Sequence, residues 1–490
     1  MTSRVAPSIE NVRQKGQVWT PPWVADAMAE FLKDCSADSV LDPAMGPGAL
    51  LAAVRRKTAK LGPITAFEID ESVLCVSDSE DSFAIDGCTD LRLKDFLFDT
   101  EDLSVAAVIA NPPYLRHHKI PPDLKARCQE IAKQTLGIKI DARAGLHIFF
   151  LIKALSHLKP FGKLSFLVPA DTFEGVFSVP LWKAISSRFN VVGVLTFDES
   201  VAAFPGVDTN ASIVFVERTS PNDSFKWMNW KGEHPRHLSS ATSLALSGEL
   251  GKAEQKGLVV AEKSLDEAIE IGFSRLNSIK PVGGVSLNEF ATMMRGVASG
   301  SNEFFLMTKE RLDELKLDES YFVRTIPRVR DASEPTITQH LLDVLDANGR
   351  PTYLLSIDET TDIDKHLEEY LSSGIRQGVD NGALVSMRKR WFFMEKRKPV
   401  PILFAYLGRR SNRFIEAKTD ITPLTGFLCV YPKPGVDHKK LLKALNHPSS
   451  IKELARIGKS YGDGAIKVEP GGLRKMIIPK EALVESGLKI

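Results

Sequence analysis

The stretch of sequence that decides the fold is Val105-Ala-Ala-Val-Ile-Ala-Asn-Pro-Pro-Tyr114. Six consecutive apolar residues before two prolines predict a short strand buried on both faces, as in parallel sheets. Each proline fixes its own φ and lacks an N–H, and Pro113 also keeps Pro112 out of helical geometry. The Asn111 side-chain oxygen and the Pro112 carbonyl can therefore point the same way at the carboxyl edge of a sheet. Because Tyr114 adds a flat aromatic face, the tetrapeptide suits the –NH2 group of a planar ring or an amide.

A second short strand lies upstream and runs into a glycine-containing turn, Val40-Leu-Asp-Pro-Ala-Met-Gly-Pro-Gly48. Glycines here allow the close approach of a ligand, and the amides at the start of the following helix can meet an anionic group. Taken alone, a G-x-G also fits an ordinary strand–helix turn, just as Asn111–Tyr114 alone fits a proline-rich turn. The two motifs together indicate a binding site at the strand ends.

Two more strand ends carry acids. Ile64-Thr-Ala-Phe-Glu-Ile-Asp70 ends with carboxylates that suit a pair of ribose hydroxyls. Lys94-Asp95-Phe96 can offer a carboxylate and an aromatic ring to an adenine. Each acid also fits a solvated residue at a strand end. The series Asp42, Glu68, Asp95 and Asn111 nevertheless follows one strand end after another, which favours a shared ligand site.

The first half of the chain alternates strands and helices. The patterns predict strands at 39–42, 64–69, 106–110, 163–168, 191–197 and 211–217, and helices at 22–33, 49–60, 123–136 and 145–158. This alternation predicts an α/β fold with a doubly wound, mostly parallel sheet of the Rossmann-like kind, whose ligands bind outside the carboxyl ends of the strands. The turn-prone segment Thr219-Ser-Pro-Asn-Asp-Ser224 predicts a boundary between domains at 1–220 and 221–490.

Length and cysteine content limit the class of protein. A chain of 490 residues is too long for one core and predicts two or three domains. Five cysteines, without a C-x-x-C pair, fit a reducing compartment and no metal site. The first residues lack an apolar signal region, and no run approaches the ~20 apolar residues of a membrane span. We therefore expect a cytoplasmic protein that does not associate with a membrane.

The net charge of +1 conceals an asymmetry along the chain. Residues 1–220 carry 23 Lys and Arg against 27 Asp and Glu, whereas the remainder carries 40 against 35. Ten basic and two acidic residues lie in the segment 376–413, which we call the basic segment, interleaved with Trp391-Phe392-Phe393, Phe404 and Tyr406. Positive charge with stacking residues indicates a nucleic-acid surface. The alternative is a solvated charged face.

These motifs together resemble the N6-adenine DNA methyltransferases of gamma motif order that occur in restriction-modification systems. The resemblance runs through about residues 14–218 and includes Gln17-Val-Trp-Thr-Pro-Pro22, Gly145–Phe150 and Leu158–Pro169. Met45 and Pro47 stand where Cys and Ser are common in the family. The resemblance implies S-adenosylmethionine as cofactor. It implies as cofactor-binding residues Thr20, Asp42, Ala44, Gly46, Gly48, Glu68, Ile69, Asp95, Phe96 and Asn111.

The resemblance also implies how the reaction proceeds. Asn111 and the Pro112 carbonyl would accept both N6 hydrogens of an adenine flipped out of the duplex, which frees the nitrogen lone pair to attack the methyl group. Tyr114 and Phe204 would stack on the extruded base, although an aromatic before Pro205 also fits a core position. Asn111, Pro112, Tyr114 and Phe204 are thus the expected catalytic residues.

Looser matches in the second half predict a mixed α+β target recognition domain. The expected DNA-binding residues are Arg295, Ser299, Arg388, Lys389, Arg390, Arg409, Arg410 and Lys467. The expected partners are double-stranded DNA and a cognate restriction endonuclease acting on the same site, and the protein is expected to be a monomer or a weak dimer.

Other functions remain open at this point. An RNA or protein-glutamine methyltransferase can use the same N-P-P-Y chemistry, but the basic segment and Thr20-Pro21 argue against it. A fused restriction enzyme would need a nuclease domain before the cofactor motifs, where only about 15 residues precede Gln17. A noncatalytic DNA-binding subunit disagrees with the intact Asn111 motif, and methylation of cytosine N4 usually shows Ser in place of Asn.

Overall fold

The computed structural model describes residues 18–75, 89–173, 177–198, 201, 203–204, 211–271, 273, 283–405, 413–457, 459–461, 465–468 and 470–489. The chain divides into two compact units, Met1–Ser278 and Ile279–Ile490. This division corrects the boundary expected near residue 220, because strands Ser224–Trp230 and Leu258–Ser264 extend the sheet of the first unit. A polar turn has the same composition whether it joins two strands or two domains.

The first unit contains a nine-stranded sheet in the order β3-β2-β1-β4-β5-β7-β6-β8-β9. Its strands are β1 (Val40–Asp42), β2 (Ile64–Glu68), β3 (Thr89–Leu93), β4 (Val105–Ala110), β5 (Leu158–Pro169), β6 (Asn190–Phe197), β7 (Ala211–Glu217), β8 (Ser224–Trp230) and β9 (Leu258–Ser264). The pairs from β3 through β5 are parallel, and so is β6 with β8. β7 runs antiparallel to both of its neighbours, and β9 runs antiparallel to β8. The expected doubly wound, mostly parallel sheet is confirmed.

Helices cover both faces of this sheet. They are α1 (Pro22–Glu30), α2 (Ala49–Lys57), α3 (Pro122–Leu136), α4 (Leu146–Ser156), α5 (Ser178–Ser186), α6 (His237–Leu246), α7 (Leu250–Gln255) and α8 (Leu265–Ile271). Side chains of β4 alternate between two hydrophobic clusters: Val108 and Ala110 belong to one, Ala107 and Ile109 to the other. Burial on both faces is why this strand is apolar at every position.

The strands and helices predicted in the first half are present, with ends shifted by a few residues. β5 is the largest difference, because it begins at Leu158 rather than at residue 163. The sequence patterns did not reveal β3, whose residues are all at least partly exposed. An edge strand of this kind lacks the apolar run or clean alternation that marks a buried strand.

The second unit is a mixed α+β structure with several small sheets. Five strands pair in the order β11-β18-β16-β17-β14 and three in the order β12-β15-β13, while β10 pairs with β21 and β19 with β20. The strands are β10 (Gly284–Ser286), β11 (Ala291–Arg295), β12 (Leu306–Met307), β13 (Phe322–Arg324), β14 (Thr336–Ile337), β15 (Tyr353–Leu355), β16 (Ile402–Ala405), β17 (Phe414–Ala417), β18 (Phe427–Pro432), β19 (Lys459–Tyr461), β20 (Ala465–Lys467) and β21 (Ile477–Pro479). The helices are α9 (Leu287–Phe290), α10 (Asn302–Phe305), α11 (Lys309–Glu314), α12 (Gln339–Ala347), α13 (Lys365–Arg376), α14 (His438–Leu445), α15 (Pro448–Ile457), α16 (Pro470–Arg474) and α17 (Lys480–Ser486).

Two features are absent from the described residues. None of their helices combines the length and apolar character that crossing a membrane requires. They also contain no cluster of three or more His, Cys, Asp or Glu side chains that could hold a metal ion.

Candidate functional site

A cavity of about 520 Å³ opens at the carboxyl ends of β1, β2 and β4. Its lining includes most of the residues that the sequence placed at these strand ends, together with apolar side chains from neighbouring helices. The lining residues are Val18, Trp19, Thr20, Pro43, Ala44, Met45, Gly46, Pro47, Ala49, Leu50, Glu68, Ile69, Asp70, Val73, Lys94, Asp95, Phe96, Asn111, Pro112, Pro113, Leu115, Leu146 and Phe150. Parallel strands end at one edge of the sheet, and this brings residues from distant parts of the chain to one cavity.

The loop between β1 and α2 depends on two glycines. Gly46 and Gly48 have φ angles of +53° and +87°, in the left-handed region that side chains with a Cβ rarely adopt. A Cβ built on Gly46 would have no atom within 4 Å, so this backbone faces open space in the cavity. Gly48 does not line the cavity but is the residue that precedes the first turn of α2.

Glu68 is held in place by backbone amides. Its carboxylate accepts hydrogen bonds from the N–H groups of Gly46, Ile69 and Asp70, each at 2.9 Å. The side chain is buried, and it lines the cavity. Since a carboxylate has about four acceptor positions, Glu68 retains capacity for a ligand beside its structural bonds.

Asp42 lies behind the cavity wall rather than in it. The residue is fully buried, its Oδ1 accepts from the Ala44 N–H at 3.1 Å, and its Oδ2 has no partner among the described residues. Burial raises the pKa of Asp42 to about 7, and the nearby charge of Glu68 adds to the rise, while the Ala44 N–H opposes it. Asp42 therefore orders the glycine loop through its bond to the Ala44 N–H, and burial favours the protonated form of its carboxyl group.

Asp95 and Phe96 form another part of the wall. Asp95 Oδ1 accepts from the Leu97 N–H at 2.8 Å, which shapes the turn after β3. The Phe96 ring is buried, and it lies 5.2 Å from the Phe67 ring centroid and 5.6 Å from that of Phe150. Asp95 and the buried Phe96 ring therefore lie next to each other in the cavity wall.

A buried lysine that the sequence did not single out supports this turn. Lys153 Nζ donates hydrogen bonds to the carbonyl oxygens of Phe96 and Asp99 and lies 4.8 Å from the centroid of the Phe96 ring. Arg127 Nε donates to the Leu97 carbonyl at 3.2 Å. Burial lowers the pKa of Lys153 to about 8. Two basic side chains therefore hold the backbone that carries Asp95.

The Asn111 side chain is oriented by the segment before α1. Its Nδ2 donates to the Val18 carbonyl at 2.7 Å and to Thr20 Oγ1 at 2.9 Å. Because a carbonyl can only accept, the nitrogen of the amide must face Val18. Both N–H bonds are then used, and the buried Oδ1 has no partner among the described residues. An acceptor in a fixed orientation stands at the cavity, beside Pro112.

Tyr114 and Phe204 do not line this cavity. Tyr114 is half-buried and meets the His147 ring edge-on, with centroids 5.7 Å apart. Phe204 is half-buried against a core cluster, where its ring lies 6.4 Å from that of Phe197. Pro205, which follows it, falls outside the described residues. In the described part of the chain, the expected aromatic sandwich is not seen around the cavity.

Two of the expected DNA-binding residues of the second unit face inward. Arg388 donates to the carbonyl oxygens of Ala298 at 2.8 Å and Ser299 at 2.7 Å, and it lies 5.2 Å from the centroid of the Phe305 ring. Burial lowers the pKa of Arg388. Ser299 is buried and hydrogen bonds to Asn302. The hydrogen bonds of Arg388 therefore connect the segment around residue 388 with the segment at Ala298 and Ser299.

The other expected DNA-binding residues differ in their surroundings. Lys389 is exposed and pairs with Glu359 at 2.5 Å, and the exposed Arg390 lies 5.7 Å from the centroid of the Phe393 ring. Arg295 is exposed at the end of β11. Arg409 and Arg410 fall outside the described residues, and of Lys467 only its place in β20 is described. Exposure leaves Lys389, Arg390 and Arg295 as surface cations.

Comparison with known proteins identifies relatives for both units. Residues 8–244 match the N-6 DNA Methylase family, and residues 272–489 match the C-terminal domain of the Type II methyltransferase M.Eco57I. The Type II methyltransferase M.AccI of Acinetobacter calcoaceticus is 26% identical over 481 residues, which cover 96% of this chain and 86% of that protein. M.XamI of Xanthomonas campestris pv. amaranthicola is 23% identical over 485 residues, covering 95% and 85%.

A solved structure with DNA shares the fold. The Type IIL restriction-modification enzyme MmeI aligns with a TM-score of 0.59 at 13% identity, over 93% of this chain and 64% of that one. The sheet order, the cavity at the strand ends and these matches define a methyltransferase that uses S-adenosylmethionine as methyl donor. Together, the two family models and the two relatives that span most of the chain support an N6 DNA methylase of restriction-modification systems with a C-terminal domain. The expected resemblance is confirmed, and the RNA or protein alternative is not favoured.

Proposed function

We propose that this protein transfers a methyl group to N6 of an adenine extruded from duplex DNA, at a specific sequence. The observation that carries the proposal is the amide of Asn111, whose nitrogen is fully engaged by Val18 and Thr20 while its buried Oδ1 has no hydrogen-bond partner among the described residues. An acceptor fixed in advance loses little entropy when it binds a hydrogen-bond donor. The exocyclic amine of adenine is such a donor.

The two acceptors of this motif act on the nucleophile. Adenine N6 is a weak nucleophile because its lone pair is delocalised into the ring. Accepting one N6 hydrogen at Asn111 Oδ1 and the other at the Pro112 carbonyl favours a more tetrahedral nitrogen, whose lone pair then attacks in line. S-adenosylmethionine, when bound, would supply the methyl group from a sulfonium centre, with the S–CH3 bond breaking as the N–C bond forms and S-adenosylhomocysteine as the leaving group. The N6 proton becomes acidic as the new N–C bond forms and leaves to solvent, so no strong base is required.

The cavity fits the parts of the cofactor. Glu68, with acceptor capacity beyond its three backbone bonds, suits the two ribose hydroxyls. Asp95 suits the exocyclic amine of the cofactor adenine, and the Phe96 and Ile69 side chains suit its two faces. The Thr20 hydroxyl lies 2.9 Å from Asn111 Nδ2, and the backbone at Ala44 and Gly46 lines the same cavity, so we assign the methionine end of the cofactor to these groups. Asp42 and Gly48 contribute to cofactor binding indirectly, because they shape the loop between β1 and α2.

The second unit is proposed to recognise the target DNA. Residues 279–490 carry 33 Lys and Arg against 27 Asp and Glu, a balance that favours a polyanion. Among the predicted contacts, exposed Lys389, Arg390 and Arg295 fit the phosphate backbone, whereas Arg388 and Ser299 fit a supporting role. Tyr114 and Phe204 are proposed to stack on the extruded base when DNA is bound. We further propose action in the cytoplasm, as a monomer or weak dimer, beside a cognate restriction endonuclease.

Nucleoside analysis of modified DNA tests the proposal. The purified chain, labelled S-adenosylmethionine and unmethylated genomic DNA should give N6-methyladenine at one recurring sequence, detected by mass spectrometry and by sequencing of modified bases. The same assay with RNA or with cell protein should give no label. N4-methylcytosine in the DNA, or label confined to RNA or protein, would overturn the assignment. Asn111→Ala serves as the inactive control.

A further inference from the structure

Two residues before α1 hold the amide of Asn111, although more than 90 positions separate them from it in the chain. Thr20 is buried and, like Val18 and Asn111, lines the cavity. Pro21 and Pro22 follow and start α1, whose residues Val24–Met28 are largely buried against α2 and α6. The proline pair and the packed helix therefore fix where the Thr20 hydroxyl stands.

The Thr20 hydroxyl can donate one hydrogen bond, and its contact with Asn111 does not use that hydrogen. A hydroxyl donates one hydrogen bond and can accept two. Thr20 Oγ1 accepts from Asn111 Nδ2, and none of the described residues accepts the hydrogen of Thr20 itself. Because the residue lines the cavity, that hydrogen is available to an acceptor bound there. A hydroxyl that donates becomes a stronger acceptor, since hydrogen bonds in a chain polarise one another.

We propose that Thr20 is a positioning residue that couples occupancy of the cofactor cavity to the orientation of the Asn111 amide. The inference rests on the proposed function and goes beyond it, since it assigns to Thr20 a role in the methyl-transfer step as well as in cofactor binding. With the cavity filled, Thr20 donates to an anionic or carbonyl acceptor of the ligand and accepts from Asn111. The Asn111 Oδ1 is then held for the incoming amine, so cofactor and target base bind cooperatively.

The amide cannot compensate for loss of the Thr20 hydroxyl by turning over. A rotation by 180° would bring Asn111 Oδ1 against the Val18 carbonyl, and two acceptors repel each other. Thr20→Val keeps the shape of the side chain but removes the hydroxyl, and this leaves one Asn111 N–H buried without its acceptor. Thr20→Ser keeps the hydroxyl and is the matched control.

The test compares these variants with a non-reactive ligand. S-adenosylhomocysteine binding is measured by calorimetry, with and without a duplex that carries an unmethylated adenine at the position that the parent enzyme methylates. The ratio of the two dissociation constants is the coupling, and it must be the same when DNA binding is measured with and without the ligand. In Thr20→Val we expect the ratio to fall towards one and kcat at saturating cofactor to fall about tenfold, as loss of one buried hydrogen bond predicts. Thr20→Ser should keep both within about twofold of the parent.

Two results would overturn the inference. One is a Thr20→Val protein with the coupling and kcat of the parent. The other is weaker cofactor binding with unchanged kcat at saturation, which would make Thr20 a binding residue only. Thermal melting checks that the variant is folded, and Thr20→Ala replaces it if it is not. If the parent gives no N6-methyladenine in DNA, the proposed function fails, and if Asn111→Ala methylates adenine at the parent rate, the role proposed for Asn111 fails. If Asn111→Ala is inactive and Thr20→Val is normal, only the coupling fails.

Discussion

Two sets of residues were predicted from residue type. One lies at the carboxyl ends of the strands in the first unit, which we call the cofactor edge, and the other is the basic segment of the second unit. Their side chains are arranged differently in the structure. At the edge, Glu68, Asp95 and Asn111 all line one cavity. In the basic segment, Arg388 is drawn inward by backbone carbonyls, and Lys389, Lys396 and Arg397 each form an ion pair with a nearby acid. The side chains of the cofactor edge thus meet in one cavity, whereas several cations of the basic segment form contacts within the second unit itself.

The difference follows from what each prediction rests on. The end of a parallel strand has a defined place, so a polar residue there can be located from the strand alone. A count of positive charges does not show where each side chain points, because an arginine can face solvent, an acid or a backbone carbonyl. Position in a motif is therefore a stronger guide to where a side chain lies than charge in a segment.

The largest effect is expected for Asn111→Ala at the cofactor edge. Loss of the fixed acceptor should reduce kcat by about 10²–10³-fold or more, the range for removing one preorganised hydrogen-bonding group at a reacting centre. Cofactor affinity by calorimetry should change little, since Glu68 and Asp95 remain. Asn348→Ala, at an exposed position in the second unit, is the control and should match the parent. If Asn111→Ala were fully active, the meeting of these side chains at the cofactor edge would not be required for methyl transfer.

Asp42 should make the stability of the ligand-free protein depend on pH. Its pKa is raised to about 7 in the folded chain, against about 3.9 in an unfolded one. Between these values the folded state binds more protons, so the free energy of unfolding falls as pH rises, with a contribution approaching 1.4 kcal/mol per pH unit. This stability is fully present below the unfolded pKa and lost above pH 7.

The Asp42→Asn variant isolates that contribution. Denaturant melts between pH 4 and 8 should show a flatter profile for the variant, with greater stability than the parent at pH 8. Identical pH profiles would mean that the carboxyl group is solvated, and the cofactor edge would then be less rigid than its hydrogen bonds imply.

A smaller effect is expected for Lys153→Met, which removes two hydrogen bonds to the turn that carries Asp95 and Phe96. Each bond contributes on the order of 1 kcal/mol, so KM for the cofactor should rise about tenfold while kcat at saturation is nearly unchanged. Lys133→Met, on the exposed side of α3, is the matched control. A fall in kcat without a change in KM would place Lys153 in the chemical step instead.

The smallest effects test the basic segment. Lys389→Ala with Arg390→Ala should weaken DNA binding alike for all sequences, and the slope of log K against log salt should become shallower by about 0.9 for each phosphate that is no longer neutralised. Arg388→Ala should instead lower the melting temperature, because it leaves carbonyl oxygens of Ala298 and Ser299 without their donor. An unchanged salt slope in the double variant would show that the exposed cations form a solvated face. Equal melting temperatures for Arg388→Ala and the parent would show that Arg388 does not stabilise the second unit.

The sequence by itself determined the parallel sheet, the glycine loop and the acids at the strand ends. Apolar runs, closely spaced glycines and polar residues at the ends of predicted strands are local features, and each can be recognised within about ten positions. It also indicated the family that the chain resembles, because several such motifs follow in one order.

Only the tertiary structure decided the contacts that join distant segments. Thr20 reaches Asn111, Lys153 reaches Phe96, and Arg388 turns towards Ala298. It also decided that two further strands belong to the first unit, which moves the boundary from residue 220 to Ser278. A hydrogen bond across many residues exists only when packing sets both partners within about 3 Å. No local pattern in the chain encodes that distance.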